Sequence, residues 1–160
     1  MINSKSIIKA IAAVNNLGYI GKDGKLMWKS KEDFKHFKKS TMGGILIVGR
    51  KTYENDFGGV GLPGRTCIVV GSNHFTPIEA INEAIKQKTA QELAFLIAGE
   101  VKAIDIWIVG GGSIYEQLMP FIDEFHISRI NDDQEGDVKI DTSAFKGTLI
   151  EYKVEVNEPV

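Results

Sequence analysis

The stretch Trp28-Lys29-Ser30-Lys31-Glu32-Asp33-Phe34-Lys35-His36-Phe37-Lys38-Lys39 brings a carboxylate to the border of an apolar helix face. At about 100° per residue, Phe34, Phe37 and Thr41 share one arc, and Asp33 lies at its edge, one turn before Phe37. Glu32, Lys35, His36 and Lys39 fall on the opposite, wet face. Of the two adjacent acids, only Asp33 therefore points inward. A lone buried charge is costly, so such a carboxylate needs a partner. A ligand with two adjacent N–H donors supplies one. The same spacing has a structural reading, with Ser30 as N-cap and Asp33 as the third residue of a capping arrangement. Both readings stay open on this segment alone.

Two strand ends offer contacts for phosphate. In Ile106-Trp107-Ile108-Val109-Gly110-Gly111-Gly112-Ser113-Ile114-Tyr115 a buried strand runs into three glycines and then a helix. Glycine lets the backbone approach a ligand, and a helix start presents N–H groups to phosphate oxygens. A ligand-free turn also accepts glycine, but three in succession cost more chain entropy than a turn requires. In Ile47-Val48-Gly49-Arg50-Lys51-Thr52 a second strand gives way to a helical turn. Its two cations form either a phosphate clamp or a solvated charge pair. The loop Gly71-Ser72-Asn73-His74 follows a third strand with hydroxyl and amide groups but no carboxylate. An acid there would read a free ribose hydroxyl; its absence beside Arg50 favours a 2′-phosphate, hence NADPH over NADH. Gly59-Val60-Gly61-Leu62-Pro63-Gly64 matches G-x-G-x-x-G but fails in context. No strand leads into it, and Pro63-Gly64 feeds a strand rather than a helix, so it reads as a surface loop.

The elements that must position these groups alternate between short apolar runs and helical patterns, which predicts an α/β fold with a mainly parallel sheet. Strands are expected at 6–14, 44–49, 66–71, 105–109 and 124–130. A final stretch, 148–156, alternates with period two as an edge or antiparallel strand does. Helices are expected at 31–41, 77–86, 89–99 and 113–119, with a short turn at 51–55. With 160 residues, no repeat and no long linker, the chain is read as a single domain over 1–160. A net charge of -2 with scattered lysines argues against a nucleic-acid face. The start lacks the apolar core of a signal peptide, and the apolar stretch 7–14 is too short to span a bilayer, so a cytoplasmic protein without a membrane partner is expected. Cys67 alone excludes an internal disulfide framework and reads as a buried strand residue. His36, His74 and His126 share no ligand spacing, so no metal is expected.

Together these segments resemble the dihydrofolate reductase family over nearly the whole chain. The resemblance is carried by Ile11-Ala12-Ala13-Val14, Gly18-Tyr19-Ile20-Gly21, Trp28, Asp33-Phe34 with Phe37-Lys38, and Val48-Gly49-Arg50-Lys51-Thr52-Tyr53-Glu54. It continues in Leu62-Pro63-Gly64-Arg65, Val109-Gly110-Gly111-Gly112-Ser113-Ile114-Tyr115 and Glu135-Gly136-Asp137. It implies a reductase-like α/β domain with an antiparallel C-terminal edge strand, acting as a monomer that transfers hydride from NADPH to dihydrofolate and binds antifolate-type inhibitors. Asp33 would hold the pterin by paired charge-assisted hydrogen bonds and promote protonation of the ring nitrogen. Its burial should raise its pKa. Leu26, Trp28 and Tyr115 would complete the catalytic group, with Leu26, Phe34 and Phe37 packing around the pterin and benzoyl rings. Ile11, Ala12 and Val109 would border the pterin and nicotinamide. Arg65 would meet the glutamate carboxylate, and the Ser128 hydroxyl would bond the pterin and Asp33.

On the cofactor side, the resemblance places Gly110, Gly111 and Gly112 at the pyrophosphate, with a cis Gly110–Gly111 bond. Arg50, Lys51, Thr52 and Ser72 would take the remaining phosphates. Ala13, Ile20, Gly21, Gly49, Ser113 and Ile114 would complete that site. Residues 19–27 would form a lid, hydrogen-bonded to the Gly136-Asp137 loop, that closes over the reaction. The chain departs from the usual family pattern at Met27 and Lys29-Ser30-Lys31, where proline and leucine–proline are common, and at Ser128, where threonine is usual. A reductase of riboflavin biosynthesis shares the glycine turn, but Trp28, Asp33-Phe34, Phe37 and Arg65 argue against it. The third possibility is a nucleotide-binding module without turnover.

Overall fold

The computed structural model describes residues 6–21 and 30–154. Along these the chain runs β1 (Ile8–Asn15), β2 (Tyr19–Gly21), α1 (Lys31–Thr41), β3 (Ile45–Gly49), α2 (Arg50–Asp56), β4 (Thr66–Val70) and α3 (Pro77–Ile97). It continues through β5 (Ile106–Ile108), α4 (Gly112–Leu118), a 3-10 turn (Met119–Phe121), β6 (Glu124–Ile130), β7 (Val138–Lys139) and β8 (Thr148–Val154). The strands form where β-branched residues cluster; α1 and α3 start at side-chain caps, Ser30 and Thr76, whereas α2 and α4 start from Gly49 and Gly111 with none. At α3 the Thr76 hydroxyl accepts from the Glu79 N–H and the Glu79 carboxylate accepts from the Thr76 N–H, with Pro77 next in the chain.

Six strands form one sheet in the order β4-β3-β5-β1-β6-β8, and every neighbouring pair runs parallel. In β3, Ile45 and Ile47 pack into one apolar cluster while Leu46 and Val48 pack into another. Ile106 and Ile108 of β5 divide from Trp107 in the same way. This two-sided burial is why both segments read as unbroken apolar runs. The first cluster includes Ala80 and Ala84 of α3 and Ile114 and Leu118 of α4; Phe37 of α1 and Tyr53 of α2 pack against the second.

The mainly parallel sheet agrees with the sequence reading; the antiparallel C-terminal edge strand is corrected. β8 does lie at the edge, but it runs parallel to β6, with Glu124 opposite Thr148 and Ile130 opposite Val154. Alternating polarity marks an edge strand without fixing its direction, which the connection sets. Here the excursion through β7 returns the chain to the start of β6, where the Thr148 N–H donates to the Asp123 carbonyl. The antiparallel pairing is between β2 and β7, a separate ribbon too short to carry a periodic signal. The helices expected at 77–86 and 89–99 are one. Lys88, at the expected break, pairs with Glu92 one turn on and donates to the Ile104 carbonyl, so the polar residues there tie the helix to the following loop. The G-x-G-x-x-G lookalike lies in the loop between α2 and β4, with Gly59, Gly61 and Gly64 at positive φ. Among the described residues, no helix is long and apolar enough to cross a membrane.

The ribbon is fastened by Asn15, which is fully buried at the end of β1. Its Oδ1 accepts from the N–H groups of Leu17 (3.1 Å) and Tyr19 (3.0 Å). Its Nδ2 donates to the Gln134 carbonyl (2.6 Å) and to Asp132 (3.2 Å). One side chain thus holds the β1–β2 turn against the loop that precedes β7. Each buried polar group left unpaired costs about 1–3 kcal/mol, so Asn15→Ala should lower unfolding stability by about 2–4 kcal/mol. Urea midpoints measure this. A loss below about 0.5 kcal/mol, the range of ordinary surface substitutions, would show that the ribbon is held by other contacts.

Candidate functional site

Since β1, β3, β4 and β5 run parallel, their carboxyl ends share one edge of the sheet, where such folds bind ligands. A cleft of about 570 Å³ opens there. Ala12 and Ala13 of β1, Gly49 of β3 and Val109 after β5 line it from the strand ends. The glycine corner Gly110, Gly111 and Gly112 continues into Ser113, Ile114 and Tyr115 of α4. Arg50, Lys51 and Thr52 of α2, Ser72 after β4, and Ile20 and Gly21 of β2 complete it. All the residues expected around a cofactor therefore face one cleft.

The glycines have packing reasons of their own. Gly110 has φ +112°, and a Cβ there would sit 3.2 Å from the Tyr115 ring. A Cβ on Gly112 would lie 2.5 Å from Cγ1 of Val138, and one on Gly111 3.1 Å from Oγ1 of Thr52. The Gly110–Gly111 peptide is cis, and the Gly49 N–H donates to the Gly110 carbonyl at 2.8 Å, binding the corner to the end of β3. The backbone thereby comes close to the cleft, and α4 starts there with N–H groups that have no carbonyl one turn back. Arg50 pairs with Glu54 at 2.9 Å in an exposed i,i+4 contact. Such pairs are worth little, so the guanidinium can be redirected to a stronger anion.

Asp33 takes the third-residue place that the capping reading gave it. Its N–H donates to the Ser30 hydroxyl at 3.1 Å, so Ser30 is the N-cap. Its carboxylate is half-buried, and that burial pushes its pKa up. Ser128 and His36 act in the opposite direction, while Glu32 adds to the rise. Ser128 is 1% exposed, and among the described residues its Oγ completes no hydrogen bond, although it is close enough to influence Asp33. His36, expected on the wet face, is half-buried instead. The α1 face is wider than the Phe34–Phe37 arc because Tyr152 of β8 packs against the His36 ring at 4.2 Å. Phe37 joins the apolar cluster of Ile11 and Val109, whereas Phe34 is 47% exposed.

Tyr115 links the two regions. It lines the cleft, its hydroxyl donates to the Ile11 carbonyl at 2.6 Å, and its pKa is raised by burial and then by the Asp33 charge. At the far end of α1, Arg65 donates to the Thr41 hydroxyl at 3.3 Å and to the Pro63 carbonyl at 3.1 Å. Asp33 and Thr41 stand about 12 Å apart along the helix axis, at 1.5 Å per residue. Leu26 and Trp28 lie outside the described residues, as do residues 22–27 of the expected lid. The part of that segment described, β2, is tied to the Gly136-Asp137 loop by the Asp137 N–H donating to the Gly21 carbonyl at 3.0 Å.

A model of the dihydrofolate reductase family matches residues 7–155. The chain belongs to that family. It is 34% identical over 142 residues to dihydrofolate reductase type 9 of Escherichia coli, covering 87% of this chain and 78% of that protein. Against dihydrofolate reductase of Bacillus subtilis the identity is 31% over 131 residues, covering 82% and 73%. A solved structure of dihydrofolate reductase from Enterococcus faecalis, complexed with NADP(H) and RAB-propyl, superimposes with a TM-score of 0.65. Its identity is 28%, over 84% of this chain and 77% of that one.

Asn55, Asp56, Val70, Gly71 and Val138 also line the cleft and were not among the expected site residues. Asn55 and Asp56 follow Lys51 and Thr52 by one helical turn, so the period of α2 was the available signal. Val138 has no local signal, because only the β2–β7 pairing brings it to Gly112.

A carboxylate whose pKa is raised on folding favours the folded state most below its unfolded pKa, and that contribution is lost as pH rises through the folded value. Near neutrality the Asp33 charge therefore opposes folding. Asp33→Asn should be more stable than the parent at pH 7, with the gain shrinking as pH falls into the ordinary carboxylate range. Urea midpoints across that range test this, and a less stable variant at pH 7 would mean that the carboxylate is held by partners stronger than its burial.

Proposed function

We propose that the chain reduces dihydrofolate to tetrahydrofolate, with NADPH held along the glycine corner and the pterin held by Asp33. The observation that carries this reading is a half-buried carboxylate on α1, whose Phe37 packs with Ile11 and Val109, while Val109 lines a cleft whose glycine-built wall suits a dinucleotide. The fit is chemical as well as spatial: the cleft combines a backbone that comes close at Gly110–Gly112 with Arg50, Lys51, Thr52 and Ser72 for phosphates. No carboxylate lies among the residues after β4 that line it. When bound, NADPH supplies the hydride.

The chain's own residues do the rest. Asp33 accepts the paired N–H donors of the pterin, and the same pairing would hold an antifolate-type inhibitor. Ser128, buried and acting to lower the Asp33 pKa, offers its hydroxyl beside that carboxylate. Asp33 also favours protonation of the ring nitrogen next to the carbon that receives hydride, so the product gains one hydride and one proton. Ile11, Ala12 and Val109 border the ring with apolar surface, and Phe34 and Phe37 extend that surface toward the benzoyl group. Arg65, at the other end of α1, takes the glutamate carboxylate. Tyr115, kept neutral by burial, would stand beside the nicotinamide. Leu26 and Trp28 keep the roles that the resemblance implies, and 19–27 that of a lid. The family resemblance implies a monomeric enzyme.

NADPH consumption in the presence of dihydrofolate tests the reading, with a ribosylaminopyrimidine as the rival substrate. Turnover of the pyrimidine alone would overturn it. In Asp33→Asn turnover should fall by about 10²–10⁴-fold near neutral pH while NADPH still binds. Arg65→Leu removes a charged hydrogen bond worth about 1.5–3 kcal/mol, so KM for dihydrofolate should rise roughly tenfold or more. Its kcat should be nearly unchanged, as for a contact made equally in ground and transition states.

A further inference from the structure

Beside Asp33, on the sheet face that α1 covers, stands a cluster of rings with no part in the reaction described so far. His36 lies one turn beyond Asp33 on α1, its ring 4.2 Å from Tyr152 of β8. Tyr152 stands directly opposite Ser128 in the β6–β8 register, so its ring adjoins the hydroxyl proposed to flank Asp33. The Tyr152 hydroxyl lies 3.4 Å from Nδ1 of His126, and His126 Nε2 lies 3.1 Å from Glu124. Trp107 meets the His126 ring edge-on at 4.9 Å. His126 and Ser128 are two residues apart on β6 and share a face. Within this packing, His36 Nε2 is buried with no hydrogen-bond partner among the described residues. Native structures rarely leave such an atom unpaired without a reason.

We propose that His36 is a positioning residue that acts through Asp33: clamped by Tyr152 beside Asp33 and Ser128, its imidazole takes up a proton on acidification and so holds the neighbouring carboxylate in its charged, pterin-gripping form. The inference rests on the reading of Asp33 as the group that binds the pterin.

The surrounding charges fit this role. Burial pushes the His36 pKa down, Asp33 pulls it back up, and His126 and Lys39 push it down again. In return, burial raises the Asp33 pKa, with Glu32 adding to the rise, and Ser128 and His36 lower it. From β6, Glu124 takes up the far side of His126, while β8 presents the Tyr152 ring to His36. Asp33 is thus the acid that His36 feels among these groups, and a proton on either residue is linked to the charge on the other.

Carbon-13 titration of the Asp33 carboxyl and of the His36 ring measures the coupling directly, in the parent chain, in His36→Gln and in Asp33→Asn. With the imidazole removed, the Asp33 carboxyl should protonate at a pH higher by about half a unit or more, the low end for a nearby opposite charge. With the carboxylate removed, the His36 ring should titrate lower by the same amount, because a coupling between two sites is reciprocal. Midpoints that coincide with the parent's in both variants overturn the proposal, and the Asp33→Asn arm alone decides it if His36→Gln does not fold. Dihydrofolate reduction is followed in parallel. The acid limb of kcat/KM should move upward in His36→Gln with the Asp33 titration, which a purely structural role would not produce. Turnover with coincident midpoints sinks the coupling and leaves the reductase reading intact. Reciprocal shifts without turnover in the parent chain sink the reductase reading instead.

Discussion

Parallel strands must all finish on the same side of their sheet, and in this chain that single constraint decides where chemistry can occur. β3 and β5 are buried on both faces, so a ligand cannot reach them broadside. Only the carboxyl edge remains, where each strand turns toward its helix and where Gly49, Val109 and the glycine corner meet. The corner is held by three packed neighbours, Tyr115, Thr52 and Val138, each filling the space a Cβ would take. Backbone amides are thereby fixed in place before any ligand arrives. A binding site assembled in this way loses little freedom on binding, which is where preorganised sites gain their affinity.

Asp33 introduces an opposing force. A carboxylate at the border of an apolar face is destabilising while charged, yet its charge is what the proposed pairing with a pterin requires. The protein softens the conflict without removing it. Ser30 caps the backbone of the same turn, so the local helix does not depend on the carboxylate. Ser128 and His36 partly offset the burial, and Tyr115 remains neutral beside the charge. Such a compromise is common where a site needs an uncomfortable group.

Much of this was legible in the residues. Periodicity located β6 and α1 to the residue, because each has one clearly apolar face or run bounded by polar positions. The glycine corner was legible because strand, glycines and helix are contiguous in sequence, so local spacing carried the whole signal. What could not be read lies between segments distant in sequence. The direction of β8 depends on a connection through β7, and the burial of His36 depends on Tyr152, more than a hundred residues away. The division of α3 into two failed for a different reason. Lys88 looks like a solvated break, but its partners are Glu92 and the Ile104 carbonyl, and the second becomes visible only once the loop has folded back.

The least local feature has the widest structural reach. Asn15 is a polar residue at the end of a core strand, a place where sequence rules expect an apolar one. Its four hydrogen bonds fix the loop before β7 relative to β1. That loop leads into Val138, whose methyl fits against Gly112 only because glycine has no Cβ. The same ribbon carries Ile20 and Gly21 to the cleft. A buried amide and a missing methyl, at positions 15 and 112, therefore set the distance between the β2–β7 ribbon and the glycine corner. Widening that gap would remove apolar cover from the cleft without touching any group proposed to contact a phosphate or a pterin. Shape at this site is controlled from the ribbon, and charge from α1 and α2.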